Sequence, residues 1–401
     1  MKVYYSLYSR MLDYDALYKG FKKVSRAKGS AGIDGQSLSD YAADLENNLS
    51  RLQHELQTKQ YRAQAVRRVE IPKSGGGVRM LGIPAVRDRI VQQVLLDILQ
   101  PIFDPEFHPS SYGYRPKRSC HDAIQKATLF IRQYQRQWVV DMDLSKCFDR
   151  LDHELIIRGV RTRVTDGSIL KLIEQFLGSG VMVGEHWEAS EAGSPQGGVI
   201  SPLLANIYLD AFDQEMRVRG HRIVRYADDI LILCKSRTAA ENALRSATKI
   251  LEKDLKLKVN QEKSHIAHSD EGVKFLGVEI RSRSTRVQDK KLKEFKQKVK
   301  QLTGRNSGGN LADMIGRLNP LLRGFCQLLQ DCQLRTRLQS IIGVDQAQAS
   351  GIPVEVVEKT GKVASPVKAA QLQAAIQVHQ DELMAQCPLF ACPSCDAESM
   401  V

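Results

Sequence analysis

The chain has 401 residues, 42% of them apolar and 26% charged, which is long enough for two or three units with a large core and excludes wholesale disorder. No apolar run approaches the roughly 20 residues of a membrane span, the Met1–Tyr5 start has no apolar secretory core, and eight scattered cysteines fit a reducing cytosol better than a disulfide scaffold, so a cytoplasmic protein is expected. Lysine and arginine number 58 against 46 acids, a net charge of +12, and residues 344–401 hold seven acids against three bases. The positive excess therefore sits on the body of the chain and favours a polyanionic partner, most simply nucleic acid, over a basic protein that binds no polyanion.

Leu7, Met11, Tyr14, Leu17, Tyr18 and Phe21 recur at three- and four-residue spacing and predict one helical face. Turn residues over Lys28–Gly35 break it, and Leu38–Leu56 resumes a helical pattern. Arg67–Lys73 and Val78–Pro84 predict two strands joined by a tight turn at Ser74–Gly77. Asp88–Leu99 predicts an amphipathic helix stopped by Pro101. Trp138–Leu144 is an apolar strand interrupted by acids, and helices are expected over 152–163, 167–178 and 201–216, the last with Ser201 as N-cap and Pro202 at the first helical position. Arg222–Cys234 is apolar on both sides of Tyr226-Ala227-Asp228-Asp229 and predicts a hairpin with acids at its tip. A helix over 238–255 and a strand over 273–280 follow, so the order of elements predicts an α+β domain with a mostly antiparallel sheet. After about 285 comes a helix crowded with lysines, a polar break at 303–310, a helix over 311–329, a small-residue linker and a last helix to about 386.

Acids on apolar strands are costly unless something positive compensates them. Asp143 ends one such strand, and Asp228 and Asp229 interrupt another. Three carboxylates converging from two strands make an oxygen-rich site suited to hard divalent cations, Mg²⁺ above all. Two such ions would activate an attacking hydroxyl and stabilise a departing pyrophosphate, which is the chemistry of nucleotidyl transfer. The alternative is an ordinary solvated Asp-Asp turn.

Seven blocks along residues 1–285 resemble those of group II intron and group II intron-like bacterial reverse transcriptases, in that family's order. Tyr226-Ala227-Asp228-Asp229 matches the YxDD element, Asp143–Asp149 with Leu151-Asp152-His153 resembles the strand of the first catalytic acid, and Gly193–Pro202 resembles the PQGG motif. Ile71-Pro72-Lys73 with Arg79–Pro84 looks like the fingers hairpin, Ser111–Pro116 like the SYGFRP block, Lys28–Gly35 like the N-terminal extension, and Phe275-Leu276-Gly277 like the primer-grip turn. Arg317–Phe325 is similar to the maturase thumb signature, with Phe325 where the family commonly has Trp.

The resemblance implies a right-hand polymerase fold: an N-terminal helical extension over 1–60, fingers and palm over 61–285, a short helical thumb over 286–343, and a linker and tail of unassigned role over 344–401. It implies an RNA-directed DNA polymerase that adds dNTPs to a primer 3′-OH. Asp143, Asp228 and Asp229 would be its catalytic acids, and Asp143, Asp228, Asp229 and the Leu144 carbonyl would hold two Mg²⁺ ions, for which Mn²⁺ would substitute. Lys73, Arg79, Phe148 and Gln196 would line the nucleotide site, with Phe148 excluding a ribose 2′-hydroxyl; the plainer readings are hairpin charges, a loop glutamine and a core phenylalanine. Asp141 reads as structural, and His153 and Arg115 as loop anchors. Lys290, Lys291, Lys293, Lys296, Lys298 and Lys300 would track a nucleic-acid backbone, the alternative being a solvated face. Partners would be an RNA template, a DNA primer, dNTPs and in some settings a DNA template; a homodimer is compatible with the sequence but not inferable from it. The setting would be retrohoming, a free-standing role in DNA repair or antiviral defence, or CRISPR adaptation, with a maturase-type RNA chaperone as the non-enzymatic rival. Cys387, Cys392 and Cys395 offer three of the four ligands a structural zinc needs, or are unpaired thiols.

Overall fold

The computed structural model describes residues 2–72, 77–184, 186–190, 192–195, 197–302 and 311–328. Contacts divide the chain into two compact units, Met1–His268 and Ser269 onward.

The first unit opens with a 3-10 turn, Tyr8–Leu12, followed by α1 (Tyr14–Ala27). The periodic face expected to form one helix is thus broken: Asp13 is extended at ψ 122° and its carboxylate accepts the Asp15 N–H as an N-cap. Leu7, Met11, Leu17 and Phe21 are still buried, because both pieces press on the same core. The stretch expected as one helix over 38–56 is likewise two, α2 (Leu38–Ala43) and α3 (Leu45–Gln57), interrupted where Asp44 leaves helical geometry. Strands β1 (Val66–Pro72) and β2 (Val78–Ile83) form the predicted hairpin. They are joined by β4 (Val181–Val183), parallel to β1, and by β5 (His186–Glu188), in the order β2-β1-β4-β5; the β4–β5 hairpin was not foreseen.

Between these strands runs α4 (Val86–Phe103), which does not stop at Pro101 but passes through it. Proline there removes one N–H from the ladder, and burial of Ile98, Leu99 and Phe103 on either side holds the last turn in place. Helices α5 (Cys120–Arg132), α6 (His153–Arg161) and α7 (Gly167–Gly178) follow, with β3 (Trp138–Met142) between α5 and α6. In α8 (Ser201–Val218) the N-cap is Ile200 rather than Ser201, and the Ser201 hydroxyl instead donates to the Pro195 carbonyl at 2.9 Å.

The second sheet is antiparallel in the order β6-β7-β3-β8, built from β6 (Arg222–Tyr226), β7 (Asp229–Cys234), β3 and β8 (His265–His268). Helix α9 (Arg237–Lys249) packs on it, and α8 lies against β6. Ile230, Leu231, Ile232 and Leu233 are all buried, which explains why central strand β7 reads as a continuous apolar run instead of an alternation. One apolar cluster extends from Leu7 through α4 and α8 to Val259.

In the second unit the strand expected over 273–280 is a hairpin, β9 (Val273–Phe275) and β10 (Val278–Ile280), followed by β11 (Thr285–Val287). Leu276 and Gly277 turn it with φ of 48° and 86°, values that glycine adopts freely and that end a strand. Helices α10 (Asp289–Leu302) and α11 (Leu311–Leu328) pair through a stacked Phe295–Phe325 contact, ring centroids 3.7 Å apart. The expected break at 303–310 and everything proposed for the tail, Cys387, Cys392 and Cys395 included, lie outside the described residues.

Candidate active site

In the antiparallel ladder of the second sheet, Met142 opposes Ile230 and Tyr226 opposes Asp229. Asp143 follows directly on β3, one residue past its last paired position, Met142, and its charge reaches both Asp228 and Asp229. Asp228 occupies the two-residue turn between β6 and β7, and Ala227 before it adopts a left-handed φ of 57°. Asp141 lies two residues from Asp143, hence on the same face of β3, opposite Leu231 and His265. Four acids from two segments distant in the sequence meet at one end of one sheet.

Their charges are not fully compensated. Burial, then Asp143, pushes the Asp228 carboxyl above the usual range, while Arg79 and Arg225 pull it down. Burial of its carboxyl, then the charges of Asp228, Asp141 and Asp143, push Asp229 up to about 7 against the pull of Lys263. Burial takes Asp141 up to about 6, with Asp143 adding and His265 opposing. Asp143 itself accepts from Asn260 Nδ2 at 3.2 Å and from Lys263 Nζ at 3.4 Å, and its N–H donates to Ser264 Oγ. The Lys263 pair is long and open to water, with Lys263 66% exposed, so it neutralises Asp143 weakly. Asn260 and Lys263 escaped the sequence reading; no local pattern marks a turn as the partner of a strand more than a hundred residues away.

Behind the turn lies a fully buried charge pair. Arg225 donates to both Asp213 carboxylate oxygens, to Asn206 Oδ1 and, at 3.0 Å, to the Ala227 carbonyl. It therefore grips the backbone of the acidic turn from below. The Ser111–Pro116 segment flanks the same turn: Ser111 bridges Arg225, the Tyr112 N–H donates to the Arg225 carbonyl, and Asn206 Nδ2 donates to the Gly113 carbonyl. Gly113 is so close that a Cβ there would overlap the Ala227 nitrogen. Arg115 donates to Asp104, His108 and Ser111, and a His153 ring nitrogen bonds the Gly193 carbonyl at 2.7 Å, so both residues anchor loops.

Phe148 is buried in the 3-10 turn Cys147–Arg150, just beyond left-handed Lys146. The Gly193–Pro195 loop docks on that turn, with the Ser194 N–H donating to the Phe148 carbonyl at 2.8 Å. Gly197 of the same loop runs against the Gly82 carbonyl of β2, where a Cβ would collide. Arg79, exposed on β2, lies within electrostatic reach of Asp228 and Tyr114. Phe148, Arg79 and the acids thus share one neighbourhood, whereas Lys73 and Gln196 fall outside the described residues. The Leu144 backbone bridges Val259, beside the Asn260 turn. Lys28–Gly35 is strapped down by Arg89 donating to the Ser30 carbonyl and Arg67 to the Ala31 carbonyl. In the second unit Phe275 is buried, Leu276-Gly277 forms the hairpin turn, and all six α10 lysines (290, 291, 293, 296, 298, 300) are exposed, Lys291 paired with Glu294.

Among the described residues no three His, Cys, Asp or Glu side chains close into a ready-made metal cage, and no helix is long and apolar enough to cross a membrane. The acids do offer an all-oxygen donor set carrying excess negative charge, which suits a hard divalent cation.

The family description "Reverse transcriptase (RNA-dependent DNA polymerase)" matches residues 71–280, and "Group II intron, maturase-specific domain" matches 292–338. Protein YkfC of Escherichia coli (strain K12) is 36% identical over 298 residues, covering 65% of this chain and 78% of YkfC. The group II intron-encoded protein LtrA of Lactococcus lactis subsp. cremoris is 28% identical over 349 residues, 70% of this chain and 57% of LtrA, so the chain spans little more than half of that relative. A structure of telomerase from Candida albicans with a fragment of telomeric RNA superposes with a TM-score of 0.45 at 14% identity, covering 77% of this chain and 60% of that one.

Proposed function

Because the chain belongs to the reverse transcriptase family, we propose that it is an RNA-directed DNA polymerase, extending a DNA primer along an RNA template. The observation that carries this reading is the β3–β7 register, which pairs Met142 with Ile230 and so brings the Asp143 end of β3 to the Asp228-Asp229 turn, with Asp228 and Asp229 both held above the usual carboxylate range. Asp143, Asp228 and Asp229, helped by the Leu144 carbonyl, would hold two Mg²⁺ ions, which when bound supply an activated 3′-hydroxyl and charge neutralisation at the leaving pyrophosphate.

The chain's own residues do the positioning. The primer 3′-oxygen forms a bond to the α-phosphorus of the dNTP, the bond to the bridging oxygen breaks, and pyrophosphate leaves while the hydroxyl proton passes to solvent or a nearby base. Arg79, with Lys73, adds positive charge beside the triphosphate, Gln196 and its glycines let backbone approach the nucleotide, and the Phe148 ring excludes a 2′-hydroxyl. Arg225 keeps the acidic turn fixed so that little reorganisation is needed at the moment of reaction. The Phe275–Gly277 turn and the α10 lysines would hold primer and duplex backbone.

Extension of a DNA primer on an RNA template with Mg²⁺, beside Asp228→Ala, tests this. Loss of at least about a thousandfold in rate is expected on removing a residue that acts only on the transition state; equal extension by both proteins would refute the assignment. A second reading, an intron-RNA maturase, is favoured by the match over 292–338, and RNA binding without extension by either protein would select it. Retrohoming, DNA repair and antiviral defence would all use the same polymerising step.

A further inference from the structure

Tyr114 is a large aromatic side chain at the candidate site to which none of the nucleotide-binding roles falls. Its neighbours on both sides are locked: Gly113 by its approach to Ala227 and its bond from Asn206, and Arg115 by its bonds to Asp104, His108 and Ser111. Between them Tyr114 adopts φ 58°, a left-handed conformation that a bulky L-residue takes only when its surroundings impose it. The result is a tyrosine 46% exposed, at a point where the core cannot be the reason for its conformation. That ring meets Phe148 edge-to-face, centroids 6.0 Å apart and planes at 82°, on the side where Asp228, Arg79 and Tyr226 lie within electrostatic reach.

We propose that Tyr114 is a positioning residue for sugar selection, a brace that holds the Phe148 ring where it meets the sugar of the incoming nucleotide. The inference rests on the polymerase reading and deepens it. Phe148 sits on a short 3-10 turn held through its backbone by the Ser194 N–H; that bond does not fix the ring, and a ring able to tilt would admit a 2′-oxygen. The edge-to-face contact removes that freedom. Sugar choice would then depend on two aromatic residues from separate segments, tied to the acidic turn through Gly113.

The test is the ratio of kcat/KM for a dNTP to that for the matching rNTP on an RNA template. Tyr114→Gly removes the ring and suits a left-handed backbone, so it should fold; its thermal midpoint is measured alongside. The ratio should fall by about tenfold in Tyr114→Gly and stay within about threefold of wild type in Tyr114→Phe, which keeps the brace. In Phe148→Ala the ratio should fall as well, and adding Tyr114→Gly to it should lower it no further, because both changes remove one device. A Tyr114→Gly enzyme that polymerises with unchanged sugar preference overturns the brace and leaves the polymerase assignment standing. Additive losses in the double variant overturn action through Phe148. A wild-type protein that makes no DNA overturns both readings.

Discussion

Arg225 shows how much of the candidate site rests on one buried side chain. It and Asp213 are both fully excluded from water, and their pairing is completed by Asn206 and the Ala227 carbonyl. Breaking such a pair leaves an uncompensated buried carboxylate, at a cost of about 3–5 kcal/mol. Arg225→Met should therefore lower the unfolding free energy by about that amount in denaturant titrations. Adding Asp213→Leu should recover most of the stability but not primer extension, since nothing then holds the Ala227 carbonyl. Recovery of both would mean that the pair serves packing alone. None of this was readable from the YxDD block, which named the turn but not the arginine side chain beneath it.

At the scale of elements, α4 ties the β1–β2 hairpin to the core, and Asp88 in its first turn makes that connection chemically. Asp88 is 1% exposed, accepts from the Tyr61 hydroxyl at 2.6 Å and from the Gln64 N–H at 3.0 Å, and is raised by burial to about 6 against those bonds and Arg87. A carboxyl raised on folding keeps a proton that the unfolded chain has already released, so its contribution falls as pH rises from about 4 to about 6. The shift corresponds to about 3 kcal/mol. Urea titrations from pH 4 to 7 should show wild type losing up to that much relative to Asp88→Asn, which lacks the titration; parallel curves would mean that Asp88 stays charged throughout. The elements themselves were largely legible: both hairpins around the site follow from apolar runs and turn residues. The misses share a cause, because Asp13 and Asp44 break helices by local capping and geometry that apolar spacing does not record, while Pro101 is tolerated where burial beyond it outweighs one lost hydrogen bond.

For the whole molecule the net charge of +12 is the most consequential number. The α10 lysines turn to solvent while Phe295, Leu292 and Val299 face α11, so the helix divides cleanly into a packing side and a cationic side. If the cationic side follows phosphates, replacing Lys293, Lys296 and Lys300 by Gln should flatten the dependence of log affinity on log salt for an RNA–DNA duplex by about two to three. An unchanged slope would assign the lysines to solvation. Across the chain, sequence alone located the acids, the strands they adjoin, the β1–β2 hairpin and the lysine helix, because each is written in local periodicity, turn chemistry or charge. Tertiary structure alone decided that the Asp143 end of β3 meets the Asp228-Asp229 turn, that Asn260 and Lys263 reach Asp143 from 117 and 120 residues away, and that Gly113 and Arg225 clamp Ala227. Those relations depend on strand register and on the packing of distant segments, which no short window of residues contains.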